Sequence, residues 1–352
     1  MGGSNMGKGI GKFFAAALSF ALVASCGGNQ ASDGGKLYVF NWTYYIPDEV
    51  IEDFEKEFGV DVVYDTFDSN ESMYSKIKNG ASGYDLVFPS ADYVTIMAKQ
   101  GLLERIDKAK VANWKHIDPA VIARASDYDP GNEYSVPYYM GAAGVAVNKK
   151  AVGEYDRSWS IFAREDLRGR MTMLDDIREV FGDALKSLGY SVNEIDGARV
   201  EQAAKLIRET WRPNLLAFDA LAFGKTFSQG DSVVAQGYPE VIFGEIEESL
   251  WGDYDFFIPK EGGPLYIDSM CIPKGAKNVE LAYKFIDYIH RPEVYAKFCD
   301  YFRFPATCNV PARDLLTKKP HYTPDQLAAC ELKLDLGAAL DLYTSAWESI
   351  KF

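Results

Sequence analysis

From residue 37 onward, short apolar runs alternate with amphipathic stretches. The alternation is interrupted once and then resumes, which limits the chain to a strand-and-helix fold in two parts. The run KLYVFN precedes a helix predicted from Pro47 to Phe58 and stopped by Gly59, and VDVVYDTF follows as a strand. Pro47 in the first helical turn, with Asp48 and Glu49 behind it, is sound helix-start chemistry. SNESMYSKIKNG reads as a capped helix, YDLVFPS as a strand and DYVTIMAKQG as a further helix, giving an α/β lobe on a largely parallel sheet. YSVPYYMGAAGVAVNKKAV reads as a strand pair leaving that lobe, and the pattern restarts with RGRMTMLDDIREVFGDALKSLGYS, so a second lobe begins near Gly141. It continues through the helix VEQAAKLIRETW, the strands SVVAQGYPEVIF and DYDFFIP, and PLYIDSMCIPKGAK ahead of the helix NVELAYKFIDYIH. Two lobes joined by more than one crossing leave a cleft between them, where α/β folds hold ligands.

The N-terminus predicts the compartment. Lys8 and Lys12 precede the apolar run FFAAALSFALVA, and small residues lead to Cys26, the pattern of a bacterial lipoprotein signal over residues 1–25 with Cys26 lipidated. An export signal with an incidental Cys is the plainer alternative. Residues 26–36 read as a flexible tether. The chain is then exported and lipid-anchored to a bacterial membrane, on the periplasmic side. Its net charge of −14, which grows more negative once two leader lysines go, disfavours nucleic acid and tolerates cationic partners. Cys271, Cys299, Cys308 and Cys330 show no CxxC spacing and the three His are scattered, so no zinc motif is present and no cofactor is expected; pairing of the thiols stays open.

Four stretches deliver unusual side chains at the ends of apolar runs: NWTYY (41–45), VFPSADY (87–93), LDDIREVF (174–181) and LYIDS (265–269). They supply rings and carboxylates without a nucleophile, base and orienting partner in recognisable spacing. Binding is therefore favoured over catalysis. Asp176 and Glu179 stand three apart at a helix start, where the pattern alone is a capping box; paired carboxylates for glycoside hydrolysis are the enzyme reading. Strand alternation points Tyr266 and Asp268 to one face. A ring beside a carboxylate is what a primary ammonium needs, since the carboxylate accepts its hydrogen bonds and the ring face attracts the cation. A solvated Asp beside an edge-strand Tyr is the bland alternative.

The strings YVFNWTYYIP, YDLVFPSADYV, LDDIREVF, FIPKEGGPLYIDSMCIP and RPEVYAKFCDYFRFPATCNVPAR together resemble the spermidine/putrescine-binding proteins (PotD and PotF type) of bacterial ABC importers, in order from about residue 37 to 315. The resemblance implies a type II two-lobed periplasmic binding protein fold joined by crossover strands, with residues 37–140 and 268–312 in the N-terminal lobe and 141–267 and 313–352 in the C-terminal lobe. It implies a monomer that binds spermidine or putrescine and delivers it to an ABC transporter permease. The cleft would be lined by Trp42, Thr43, Tyr44, Ser90, Asp92, Asp176, Glu179, Tyr266, Asp268 and Phe304, with Tyr45 left to the core. A same-fold protein for ferric ion or a small anion is the alternative, which the acidic, ring-rich set fits poorly.

This chain departs from the family pattern in places. Tyr44 stands where the spermidine-type proteins carry an acid, and Asp92 where they carry an aromatic. Ala235 replaces an expected tryptophan, with Tyr238 and Glu240 the candidates to fill that wall. Lys333 aligns with an amide-bearing position and is a poor neighbour for a cation.

Overall fold

The computed structural model describes residues 35–43, 45–80 and 83–351. Its first strand, β1 (Lys36–Trp42), lies between two parallel neighbours, β2 (Asp61–Phe67) and β3 (Leu86–Val87). The helix after β1 spans Asp48–Phe58, so Pro47 is its N-cap rather than part of its first turn. The extended ψ of 143° at Pro47 places it just outside, while Asp48 and Glu49 fill the first turn. Gly59 closes the helix at φ 64°, a left-handed conformation that costs a residue without Cβ little, and donates its N–H to Glu55 O over 2.8 Å. Val50 and Phe54, one turn apart, are the buried positions. YDLVFPS forms only the two-residue β3 before Pro89 and the helix Ala91–Lys99 end it.

The chain leaves this sheet along β4 (Val136–Ala142) and enters a second, mixed sheet through β5 (Gly144–Asn148). That sheet also holds β6 (Met171–Met173), β7 (Leu215–Phe218), β8 (Val234–Gly237) and β9 (Tyr254–Phe257), in the order β7-β6-β8-β5-β9. β6 runs parallel to β7 and β8, whereas β5 is antiparallel to β8 and β9. SVVAQGYPEVIF is split, because Pro239 ends strand pairing and opens the helix Pro239–Gly244. The helix over VEQAAKLIRETW spans Gly197–Leu206 and finishes in a π turn, Ile207–Trp211.

The return path is β10 (Pro264–Met270), antiparallel to β4 and flanked on its other side by β11 (Glu331–Leu332), which runs parallel to it. Past its pairing with β4, β10 continues against the end of β3, with Cys271 N donating to Val87 O at 2.8 Å and an isolated bridge between Ser90 and Asp268. Thus β4 and β10 are two of the crossings between the lobes, and the chain crosses again after Ala312 to bring Tyr343 and Trp347 into the second core. The register of β10 on β4 shifts between Asp268, opposite Tyr139, and Ser269, opposite Pro137, leaving Tyr138 as the extra residue. Pro137 has no N–H for the ladder, and a bulge is where a sheet accommodates that.

Buried apolar side chains segregate accordingly. Leu37, Val39, Phe54, Leu86, Tyr295 and Phe298 belong to one core, and Val145, Trp159, Phe181, Val234 and Trp347 to another. A third cluster, including Phe223, Phe256, Leu265 and Tyr322, fills the space where β10 joins the second lobe. The question of cysteine pairing is answered among the described residues: Cys271, Cys299, Cys308 and Cys330 are free and buried. Burial pushes the Cys271 and Cys299 thiols well above their ordinary pKa, which keeps them inert. No helix among the described residues is long and apolar enough to cross a membrane.

Candidate ligand-binding cleft

The segments that follow β1 and β3 meet β10 at Asp268. Because β3 stops at Val87, the chain turns into the helix Ala91–Lys99 with Ser90 as its N-cap, facing β10. Ser90 Oγ donates to Asp268 Oδ1 at 2.6 Å, and Tyr45 Oη donates to Asp268 Oδ2 at 2.5 Å. Asn70 holds Ser90 in turn, its Oδ1 accepting from Ser90 N and its Nδ2 donating to Ser90 Oγ, both at 3.1 Å. Asp268 is only 4% exposed. Burial raises its carboxyl to about 6, against the two hydroxyl donors and the more distant Lys333, which favour the charge. The result is a carboxylate ionised at neutral pH at some cost.

Rings surround this acid. Trp42, half-buried at the end of β1, packs against Phe67 with centroids 4.6 Å apart and donates Nε1–H to Phe88 O at 2.9 Å. Tyr266, two residues before Asp268 on β10, meets Tyr238 edge-on at 5.8 Å. The Tyr266 ring has room only because Gly141 lies opposite it; a Cβ there would be 2.5 Å from Tyr266 Oη and 2.7 Å from Tyr322 Oη. Phe304 stacks on Tyr139 at 4.3 Å and meets Tyr45 edge-on at 6.3 Å, so it backs Tyr45 from within the first core. Thr43 is exposed at the strand end, its N–H donating to Phe67 O. Tyr44 and Cys26 lie outside the described residues.

A second charged group comes from the other lobe. Asp176 caps the helix Ile177–Ser187, accepting from Arg178 N at 2.8 Å and Glu179 N at 3.0 Å. Only half of the expected capping box forms, because Glu179 turns away from the helix start and pairs with Lys333. Glu179 is 0% and Lys333 9% exposed. Burial acts against the Lys333 ammonium, but Glu179, Asp176 and Asp92 outweigh it and hold its pKa above the ordinary lysine value. Asp92, half-buried on the helix Ala91–Lys99, has its carboxyl raised by burial while Lys333 and Arg178 oppose that. Tyr238 lies between the two acidic groups: beyond burial, Glu179, Asp176 and Asp268 all act to raise its phenol.

The structure therefore brings Ser90 and Asp268 together, and Glu179 together with Lys333, whose charge Asp176 and Asp92 also favour. Sequence reasoning assigned Tyr45 to the core, and its ring is there, edge-on to Tyr138 at 5.2 Å; its hydroxyl nevertheless reaches Asp268. Lys333 registered only as a departure, and its place follows from the pairing of β11 with β10, which no local pattern announces. Glu240 keeps an unpartnered buried Oε2 among the described residues, and burial raises its carboxyl to about 8.

Chemically, buried carboxylates beside aromatic rings suit a cation. A model of the bacterial extracellular solute-binding proteins matches residues 49–324. The spermidine/putrescine-binding periplasmic protein of Escherichia coli (strain K12) is 35% identical over 339 residues, 94% of this chain and 96% of that protein. The putrescine-binding periplasmic protein PotF of the same organism is 30% identical over 362 residues, 97% of this chain and 98% of that one. The crystal structure of the TpPotD lipoprotein of Treponema pallidum superposes with a TM-score of 0.87 at 50% identity, covering 90% of this chain and 99% of the other. Matched over most of its length in sequence and in structure, the chain belongs to the bacterial extracellular solute-binding protein family and has its two-lobed periplasmic binding protein fold.

Proposed function

We propose that the protein captures a polyamine, putrescine or spermidine, outside the cytoplasmic membrane and delivers it to an ABC importer. The observation that carries this reading is Asp268, a buried carboxylate kept ionised by Tyr45 and Ser90 with the Tyr266 ring beside it. The relatives above, named for spermidine and putrescine, support the same ligand class. Micromolar binding needs about 8 kcal/mol. One charged hydrogen bond contributes roughly 1.5 to 3 kcal/mol and one cation–π contact about 0.5 to 2. Several contacts must act at once, and the several buried carboxylates and rings of this region are suited to supply them.

In this reading Trp42, Thr43, Tyr44, Ser90, Asp92, Asp176, Glu179, Tyr266 and Asp268 line the site, and Phe304 supports it. The ligand bridges both lobes and so favours the closed arrangement. Cys26, with its apolar leader, supports lipid anchoring, as does the TpPotD relative, itself called a lipoprotein. Isothermal calorimetry against putrescine, cadaverine, spermidine, ferric ion and a neutral sugar tests the reading. Micromolar or tighter binding confined to the polyamines is expected, and tight binding of iron or sugar with none of a polyamine overturns it.

A further inference from the structure

The acidic group at the start of the helix Ile177–Ser187 already holds a cation of this chain, Lys333. Lys333 follows β11 directly, and its N–H donates to Leu265 O at 2.9 Å, so its side chain leaves the sheet next to Tyr266. The ammonium reaches Glu179 Oε1, while Glu179 Oε2, also buried, has no partner among the described residues. A buried ion pair adds little net stability over apolar packing, so stability alone is a weak reason for this arrangement. A lysine side chain is an ammonium on four methylenes, which is one end of putrescine attached to the backbone.

Resting on the polyamine reading above, we propose that Lys333 is a specificity-determining residue: a tethered ammonium that occupies the seat at Glu179 and biases the protein toward the diamine. Asp268 remains for one ligand ammonium, and a second shares Asp92 and Asp176 with Lys333. The carboxylate that a third ammonium would use is already neutralised. Spermidine must therefore either displace Lys333 or bury a charge without a partner, and both weaken it relative to putrescine.

The test is calorimetry on the full chain and on Lys333→Met, each with putrescine and with spermidine. The wild type is expected to bind putrescine more tightly, and Lys333→Met to move the affinity ratio at least tenfold toward spermidine. Lys333→Gln, which keeps polarity without charge, must do the same and serves if the Met variant does not fold. An unchanged ratio with binding intact overturns the tether alone, as does a wild type that prefers spermidine. A wild type that binds neither polyamine overturns the polyamine reading and the tether with it.

Discussion

Tyr45 and Asp268 are 223 residues apart in the chain, and their hydroxyl and carboxylate oxygens are 2.5 Å apart. Ser90 serves the other carboxylate oxygen at 2.6 Å, so both Asp268 oxygens are held by donors from the first lobe. Two such hydrogen bonds do not cancel the burial, and the carboxyl still sits at about 6. On the proposed reading an incoming ammonium relieves that cost.

Asp268→Asn keeps the shape and removes the charge. Losing half of a buried pair costs about 3 to 5 kcal/mol, so affinity for putrescine and spermidine is expected to fall roughly a hundredfold or more. The melting temperature of the variant should not drop, because the fold no longer carries a buried charge. Asp53, exposed and paired with Lys297 on the outer helix, is the control: Asp53→Asn should bind within about threefold of wild type. Calorimetry and thermal melting check both; an Asp268→Asn protein that binds like wild type removes the anchor.

Affinity should depend on pH through the same group. The ligand amines are cationic throughout the acid range, so binding requires the Asp268 charge; affinity is expected to be flat above about pH 7 and to lose about tenfold per unit well below 6. Stability moves the other way. The folded carboxyl lies above its ordinary value of 3.8, so the fold holds this proton more tightly than the unfolded chain. The cost is fully present above about pH 6 and gone below the unfolded value. Dissociation constants measured from pH 5 to 8 decide it, and a flat profile contradicts the assignment.

Tyr45→Phe leaves the ring packed against Tyr138, Tyr139 and Phe304 and removes the donor to Asp268. The carboxyl then rises further, because a donor that favoured its charge is gone. The expected outcome is a severalfold weaker affinity at pH 7, smaller than for Asp268→Asn, with the midpoint of the pH profile moved to higher pH.

Gly141→Ala tests the space beneath Tyr266. The added Cβ would overlap two buried phenols, and overpacking of this kind costs about 1 to 3 kcal/mol. Urea unfolding should show that loss, with weaker polyamine binding as Tyr266 is displaced.

Cys26→Ala should release the protein from membranes with polyamine affinity intact, since Cys26 precedes both lobes in the chain. Detergent-phase partitioning reads the outcome, and quantitative retention in the detergent phase contradicts lipidation.

What was legible in the sequence was local. Pro47 and Gly59 bracket the first helix to within a residue, and the alternation in LYIDS puts Tyr266 and Asp268 on one face. Short-range chemistry decides both. The extent of YDLVFPS and SVVAQGYPEVIF as strands was overread, since strand length is set by distant partners while prolines cut each run short. Tyr45 was half legible: its ring obeys the core, and only tertiary contact shows where the hydroxyl goes. Lys333 depends on a two-residue strand pairing with β10 across some sixty residues of chain, a register that no periodicity encodes.

Asp268 sits on a crossing strand yet takes both its donors from the first lobe, so the geometry of Tyr45, Ser90 and Asp268 uses no residue of the second lobe. This imposes an order of events. On the proposed reading a ligand lands on a finished half-site before anything closes over it, and its arrival rate should be governed by the first lobe. Its departure should instead wait on the second lobe, which the pair of Arg303 with Glu248 bridges to the first. Substitutions on the two sides of the cleft should accordingly separate in kinetics, the first lobe setting capture and the second setting residence time.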